Sequence, residues 1–334
     1  MVRDGHADHM KVFEGIEAAA RGGLRKCVAT LGVFDGVHIG HRHVLTETVL
    51  YGQERRAPSV VVTFGTHPKG VISGTPPQLI TSLRHRLRLF EALGLDAALV
   101  LDFDATLRGT SAEDFAARVF ADALDCQLVV LGCDTRFGRG GRGDLSLLRD
   151  VGKRRGFDAV NADAVVVGGQ KVSSTRIRES ILKGELGDAA RMLGRPVAVL
   201  GTVVSGDRRG RTLGWPTANL DLHHEVRPPR GVWGVEVLVD GIRRHGLCNI
   251  GFRPTFDAPP QGDPDAWPAR DAFDRIEVHL LDFSGDLYGK DLEVRFLCRI
   301  RDEMKFPGKD ALVARLEADR AWFRRWLAGE SFGG

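Results

Sequence analysis

The chain has 334 residues, 43% of them hydrophobic and 27% charged, with a formal net charge of +3. That balance belongs to a globular protein whose length favours two domains, and so small a net charge does not by itself imply a nucleic-acid surface. The cysteines Cys27, Cys126, Cys133, Cys248 and Cys298 are odd in number and form no Cys-x-x-Cys pair, which speaks against a disulfide framework or a zinc site and for a reducing cytosol.

The N-terminal residues hold charges and histidines without an apolar core suited to a signal peptide, and no later run could span a bilayer. A cytoplasmic protein with neither membrane nor nucleic-acid partner is expected. The first informative element is the apolar run at residues 28–31, read as a buried strand. It leads into Gly32-Val33-Phe34-Asp35-Gly36-Val37-His38-Ile39-Gly40-His41. Gly36 and Gly40 let backbone N–H groups approach an anion such as a triphosphate, and a helix opening near Ile39 aims its positive end at the same place. His38 and His41 then stand beside the charge that develops when a phosphate bridge breaks. A plain strand-to-helix turn with two solvated histidines is the competing reading.

Residues 60–64, 97–101 and 128–131 are further β-rich runs. Between them, Leu83, Leu87, Phe90 and Leu93 recur at helical spacing, and residues 111–124 open on a capping serine followed by Glu113-Asp114. Strands alternating with helices predict a parallel, doubly wound sheet with its ligand site at the strand C-termini. The basic residues Arg136, Arg139, Arg142 and Arg154-Arg155 suit anionic nucleotides or plain solvated faces, with the solvated face as the default. After the apolar run 164–167 and Gly168-Gly169 comes Ser173-Ser174-Thr175-Arg176-Ile177-Arg178. Its hydroxyls can cap a helix and equally donate to phosphate oxygens, with Arg178 within one turn; taken alone, an ordinary N-cap explains it.

Gly194 suits the position after a helix ending at Leu193, and Pro196 prevents continuation, so the boundary falls within residues 186–196 and the domains are drawn as 1–187 and 188–334. Beyond it, the short runs 197–204, 232–239, 246–250, 276–281 and 292–300 predict a small antiparallel barrel. The segment 309–327, with Leu312, Leu316, Phe323 and Trp326 near one face, predicts a helix that plugs or flanks the barrel. Residues 258–269 are proline-rich and read as a surface loop.

Within this half, Gly206, Gly210 and Gly214 permit a backbone that closes over phosphates. Pro216-Thr217-Ala218-Asn219 place a hydroxyl and an amide oxygen on one side of an extended segment, hard ligands suited to Mg²⁺ together with ATP phosphates. Downstream stand Asn249-Ile250-Gly251-Phe252-Arg253-Pro254-Thr255, Glu277-Val278-His279-Leu280-Leu281-Asp282-Phe283 and Arg301-Asp302-Glu303-Met304-Lys305-Phe306. Strand alternation puts Glu277 and His279 on one face, where an inward carboxylate needs a partner or a task.

The two N-terminal motifs together resemble the paired signatures of HxGH-type nucleotidyltransferases. With Gly210-Arg211-Thr212-Leu213-Gly214-Trp215-Pro216-Thr217-Ala218-Asn219 and the segments 249–255 and 277–283, the chain from about Cys27 to Leu327 resembles the prokaryotic bifunctional riboflavin kinase/FMN adenylyltransferases. The resemblance implies an α/β doubly wound nucleotidyltransferase-like domain, then a small antiparallel β-barrel kinase domain with a C-terminal helix. It implies ATP-dependent phosphorylation of riboflavin to FMN, then adenylylation of FMN to FAD with release of pyrophosphate, with Mg²⁺ accompanying ATP. Glu277 would be the general base for riboflavin, and His38 and His41 would stabilise the α-phosphate. Gly32, Asp35, Gly40, Ser173, Ser174, Thr175, Arg178, Gly210 and Gly214 would bind ATP and its phosphates. Asp134, Arg301 and Glu303 would face the flavin, and Thr217 and Asn219 the metal. The departures are Val33 where the family usually has Asn, Gly65-Thr66 where it has Glu-Pro, and Thr135 where it has an aromatic; Arg139 and Arg142 do not align cleanly. They support one alternative, a monofunctional riboflavin kinase with a degenerate first domain, which intact His38, His41, Ser174 and Arg178 oppose; against a second, a non-catalytic flavin-binding regulator, stands the retention of Thr217, Asn219 and Glu277 together.

Overall fold

The computed structural model describes residues 9–68, 77–205, 214–223, 225–252 and 274–330. The chain divides into two compact units, one of Met1–Ser174 with Met192–Gly194, the other of Thr175–Arg191 with Arg195–Gly334.

In the first unit, strands β1 (Lys11–Glu14), β2 (Val28–Leu31), β3 (Ser59–Phe64), β4 (Ala97–Leu101), β5 (Leu128–Gly132) and β6 (Asp158–Ala162) pair in the order β1-β4-β3-β2-β5-β6, all parallel. Helices α1 (Ile16–Arg21), α2 (Ile39–Arg55), α3 (Leu83–Ala92), α4 (Ala105–Gly109), α5 (Ala112–Ala116) and α6 (Leu145–Arg155) lie between them. The side-chain period of two splits the core. Leu31, Val62 and Leu99 meet Phe115, Phe120 and Leu148 on one face, while Val61 and Ala98 meet Phe34, Leu45 and Phe90 on the other. The chain winds from β2 through β3 to β4, then returns to lay β5 against β2. The loops after β2 and β5 therefore flank the point where the winding reverses, the place where such sheets open a crevice for ligands.

Ser82 and Ser111 cap α3 and α5, accepting the amides of His85 and Asp114. Past α5 the expected helix changes character, continuing as a π-helix over Ala117–Ala123. Buried Phe115-Ala116, Val119-Phe120 and Ala123-Leu124 recur every four residues, and an under-wound helix keeps such a pattern facing the core. The run 164–167 is not a buried strand. Val166 and Val167 form β7 (Val166–Val167), half of a hairpin with β8 (Gln170–Lys171), and Gly168 and Gly169, with φ of 60° and 75°, make the turn.

Helix α7 (Ser174–Lys183), in the second unit from Thr175 on, precedes α8 (Leu186–Leu193), which belongs to the second unit as far as Arg191 and ends where Gly194 of the first unit turns to a φ of 68°. Then β9 (Ala198–Val204), β10 (Ala218–Asp221), β11 (Gly231–Val239), β12 (Ile242–Phe252), β13 (Asp274–Leu280) and β14 (Asp291–Arg301) close a barrel in the order β10-β13-β12-β11-β14-β9, with every pair antiparallel. Cys248 and Ile250 face Val278 and Ile276 across β12 and β13, while Val235 and Val237 face Phe296 and Val294; all are buried. Helix α9 (Lys309–Leu327) flanks this barrel: Leu316, Phe323 and Trp326 pack on Trp215, Leu247 and Leu281. A Cβ on Gly234 would stand 2.3 Å from the Phe323 ring, so a bare backbone seats the helix. Gly206, Gly210 and residues 258–269 lie outside the described residues.

Candidate active sites

The first site grows from the C-terminal end of β2. Over Gly32–His41 the backbone takes left-handed φ values of 54° at Phe34, 83° at Gly36 and 39° at Val37. For a β-branched valine that conformation is costly, and it persists only where the surroundings impose it. They do so from three sides. Asp35 is buried, and its Oδ1 accepts the amides of Ile80 at 2.9 Å and Thr81 at 3.0 Å; Gly36 N–H donates to Thr81 Oγ1 at 2.8 Å. Ser174 Oγ donates to the Asp35 carbonyl at 2.9 Å. Arg86, only 1% exposed, donates to the Val33 carbonyl, to Thr63 Oγ1 at 3.3 Å and to the Phe64 carbonyl at 3.1 Å.

His38 is the N-cap of α2, and its Nδ1 accepts the His41 amide at 3.2 Å. A nitrogen that accepts carries no proton, so the neutral ring holds its proton on Nε2 and can donate there. The His38 and His41 rings stack at 3.5 Å, and the Phe34 ring meets His41 edge-on at 5.3 Å. His38 is 6% exposed, which removes the reading as a solvated turn histidine. Gly40 lies beneath this stack: a Cβ there would come within 3.3 Å of the His38 ring. At the end of β5, Thr135 N–H donates to the Gly132 carbonyl at 2.9 Å, and Lys171 pairs with Asp134 and donates to Cys133 Sγ at 3.1 Å.

The second site lies on the outer wall of the barrel, so Glu277, expected as an inward carboxylate, instead stands on the face opposite buried Ile276 and Val278. Asn219 on β10 is directly opposite Glu277 on β13, and Glu277 is directly opposite Asn249 on β12. Cross-strand partners share a face, so these three polar side chains form one row between strands whose alternate residues fill the barrel. Thr217 and Asn219 also line a cavity of about 680 Å³ whose wall includes Val278, Leu280, Phe283 and Tyr288 but neither Glu277 nor Asn249. Among the described residues, Asn219 Oδ1 is buried with no hydrogen-bond partner. Gly251 faces Glu303: a Cβ there would be 2.5 Å from Glu303 Oε1 and 2.9 Å from Asn249 Nδ2, so Glu303 approaches the same row. Arg301 is turned elsewhere. Its Nε donates to buried Asp319 of α9 at 2.8 Å, and its guanidinium lies 5.7 Å from the Phe306 ring.

Residues 20–176 match the FAD synthetase family model, and residues 193–327 match the riboflavin kinase family model. A bifunctional riboflavin kinase/FMN adenylyltransferase of Escherichia coli is 36% identical over 95% of this chain and 98% of its own. One of Pseudomonas fluorescens is 37% identical over 91% and 94%. The chain belongs to the bifunctional riboflavin kinase/FMN adenylyltransferase family. A Streptococcus pneumoniae crystal structure, described as a macrolide-efflux protein, shares this fold with a TM-score of 0.76 and 30% identity, covering 95% of this chain and all of that one. Among the described residues of this family member, no helix is long and apolar enough to cross a membrane.

Within the FAD synthetase domain, the structure brings Gly32, Asp35, His38, Gly40, His41 and Ser174 to one loop and helix start. Ser173 immediately precedes α7, on whose first turns Thr175 and Arg178 stand. Within the riboflavin kinase domain it sets Asn219 opposite Glu277 and brings Glu303 toward Asn249 of the same row, while Thr217 joins Asn219 in the cavity wall; Gly214, with a φ of 76°, marks the edge of the undescribed 206–213 segment. Sequence reasoning missed Arg86. Its signal was a cation three residues after Leu83 and four before Phe90, on the apolar face of α3. It also missed that Asn249 joins the row.

Proposed function

We propose that the protein makes FMN from riboflavin and FAD from FMN, each with ATP. The observation that carries the kinase half is the register that sets Asn219 against Glu277. The Glu277 carboxylate accepts the proton of the riboflavin 5′-hydroxyl as its oxygen bonds to the γ-phosphorus; the bond to the β-phosphate oxygen breaks and ADP leaves. Thr217 and Asn219 would hold Mg²⁺ with ATP. The fit rests on the partnerless Oδ1 of Asn219, a hard acceptor that a cation would satisfy. Among the described residues no group of three or more His, Cys, Asp or Glu is placed to bind a metal, so phosphate oxygens and water would complete the shell, as Mg²⁺ prefers. Bound there, Mg²⁺ would neutralise charge on the phosphates.

In the other half, a phosphate oxygen of FMN attacks the α-phosphorus of ATP, the α–β bridge breaks and pyrophosphate leaves, with no covalent enzyme intermediate. His38 Nε2–H and His41 stabilise the charge on the α-phosphate, and the amides around Gly32 and Gly40 receive phosphate oxygens. Asp35, with its carboxylate given to backbone amides, serves by holding the loop. For Ser173, Thr175 and Arg178 the phosphate role is the one the resemblance implies. Asp134 and Glu303 remain candidates for flavin contact, while Arg301 holds α9 through Asp319. Val33 enters the loop through its carbonyl, which Arg86 ties, so the exchange of its side chain leaves that tie in place.

Burial pushes the Cys27 thiol up to about 12, and the remaining cysteines are likewise free, in keeping with the reducing cytoplasm we infer for it. The test is direct: pure protein with riboflavin, ATP and Mg²⁺, followed by chromatographic separation of riboflavin, FMN and FAD. Both products are expected. FMN accumulating without FAD would establish the monofunctional reading.

A further inference from the structure

The proposed metal ligands stand where a ladder ends. The β10–β13 register runs Leu220 to Ile276, Asn219 to Glu277 and Ala218 to Val278, and there it stops. One step further, Thr217 would face His279, and then Pro216 would face Leu280. Proline has no N–H, so the ladder cannot continue through that position. A side chain takes over: His279 Nδ1 lies 2.8 Å from the Pro216 carbonyl oxygen. That oxygen can only accept, so Nδ1 carries the proton.

The ring itself is held. Its centroid is 4.6 Å from that of Trp215, which is 5% exposed, and the Arg320 guanidinium of α9 sits 5.2 Å from the Trp215 ring. Residues 215 and 216 are thereby fixed from two directions, by the tilted ring contact and by the hydrogen bond, directly before Thr217.

We propose that His279 is a positioning residue of the kinase site, anchoring the Pro216 carbonyl so that the oxygens of Thr217 and Asn219 hold their place opposite Glu277. One strand then sets both parts of the reaction, because His279 and Glu277 lie two residues apart on β13 and share a face. The inference rests on the reading of Thr217 and Asn219 as ligands of Mg²⁺ with ATP, and the experiment separates the two.

In the unmodified protein, FMN formation and tighter calorimetric binding of ADP with Mg²⁺ than of ADP with EDTA are the controls; their absence would overturn the kinase reading itself. His279→Phe keeps a ring against Trp215 and removes the donor. It should lower kcat for FMN formation about ten- to a hundredfold and weaken binding of ADP with Mg²⁺ about tenfold, with KM for riboflavin and binding of metal-free ADP within about twofold. His279→Asn, whose amide nitrogen can stand near the Nδ1 position, should recover kcat to within about fivefold of the parent. Parent-like behaviour of the Phe variant, equal losses in both variants, or equal weakening with and without Mg²⁺ would each overturn the assignment. A reading independent of any variant's folding comes from the ¹⁵N resonances of the His279 ring in the unmodified protein. They should report an Nδ1-protonated ring and move with Mg²⁺ and ADP together but not with ADP alone; the same response to both would also overturn it.

Discussion

Gly40→Ala separates catalysis from stability at the first site. The added Cβ would sit 3.3 Å from both Cε1 and Nδ1 of His38. Comfortable contact begins near 3.5–4.0 Å, so the imidazole must retreat by about 0.3–0.5 Å. Its Nδ1 already holds the His41 amide at 3.2 Å, the long end of a hydrogen bond, and the retreat releases it. Loss of that cap costs about 1 kcal/mol, while alanine in place of glycine inside a helix returns nearly as much, so the two effects offset each other to within about 1 kcal/mol. Turnover has no such compensation. A misplacement of about 1 Å near reacting atoms can cost about a hundredfold, so a shift of under half that, carried also to the stacked His41 ring, should cost about tenfold. The assay is FAD formation from supplied FMN, with FMN formation from riboflavin and urea unfolding measured in parallel. FMN formation should be unchanged and the unfolding midpoint nearly so. FAD formation within about twofold of the parent would refute the placement of His38 at the reacting phosphate.

Glu277→Gln should lower turnover for FMN formation about a hundred- to ten-thousandfold with little change in KM, and leave conversion of supplied FMN to FAD intact; turnover within a few-fold would make Glu277 structural. Asn219→Leu removes a buried oxygen that has no partner among the described residues, so the ligand-free protein should be as stable or up to about 1 kcal/mol more stable by urea unfolding, while FMN formation collapses. Arg86→Leu deprives the Val33 and Phe64 carbonyls of their donor and should destabilise the first unit by about 3 kcal/mol or more, seen as a lowered unfolding midpoint, with Arg86→Lys recovering only part. Burial holds the His279 pKa below the ordinary histidine value, against the opposing pull of its bond to Pro216. The unfolded chain therefore takes up the proton first, so stability is fully present above a pH of about 6.5 and falls as pH drops below it. Unfolding midpoints at successive pH values should show that decline, and His279→Asn should flatten it.

Local chemistry was legible in the chain itself. The 309–327 helix follows from an apolar stripe that no other period fits, and Ser82 and Ser111 cap their helices because a short hydroxyl before an amphipathic run satisfies free amides. The buried strands β2 to β5 are apolar runs, and the glycines around His38 mark where backbone must approach something. Edge strands were not legible: β1 is largely exposed and β6 interrupts a short run of small apolar residues with Asp158 and Asn161, so neither carries a continuous apolar or period-two signal. Nor was pairing. Alternation along β13 places Glu277 and His279 on one face, but only closure of the barrel decides that this face meets Asn219 on one side and Asn249 on the other. The same limit hid the inward turn of Asp35 toward Ile80 and Thr81, the burial of Arg86 beneath Val33, and the commitment of Arg301 to Asp319. A residue's type states which interactions it can make, and sequence spacing states which neighbours along its own element it can reach. Which of those interactions is made depends on desolvation and on partners distant in sequence, and these exist only after the strands have chosen their registers and the helices have settled against them.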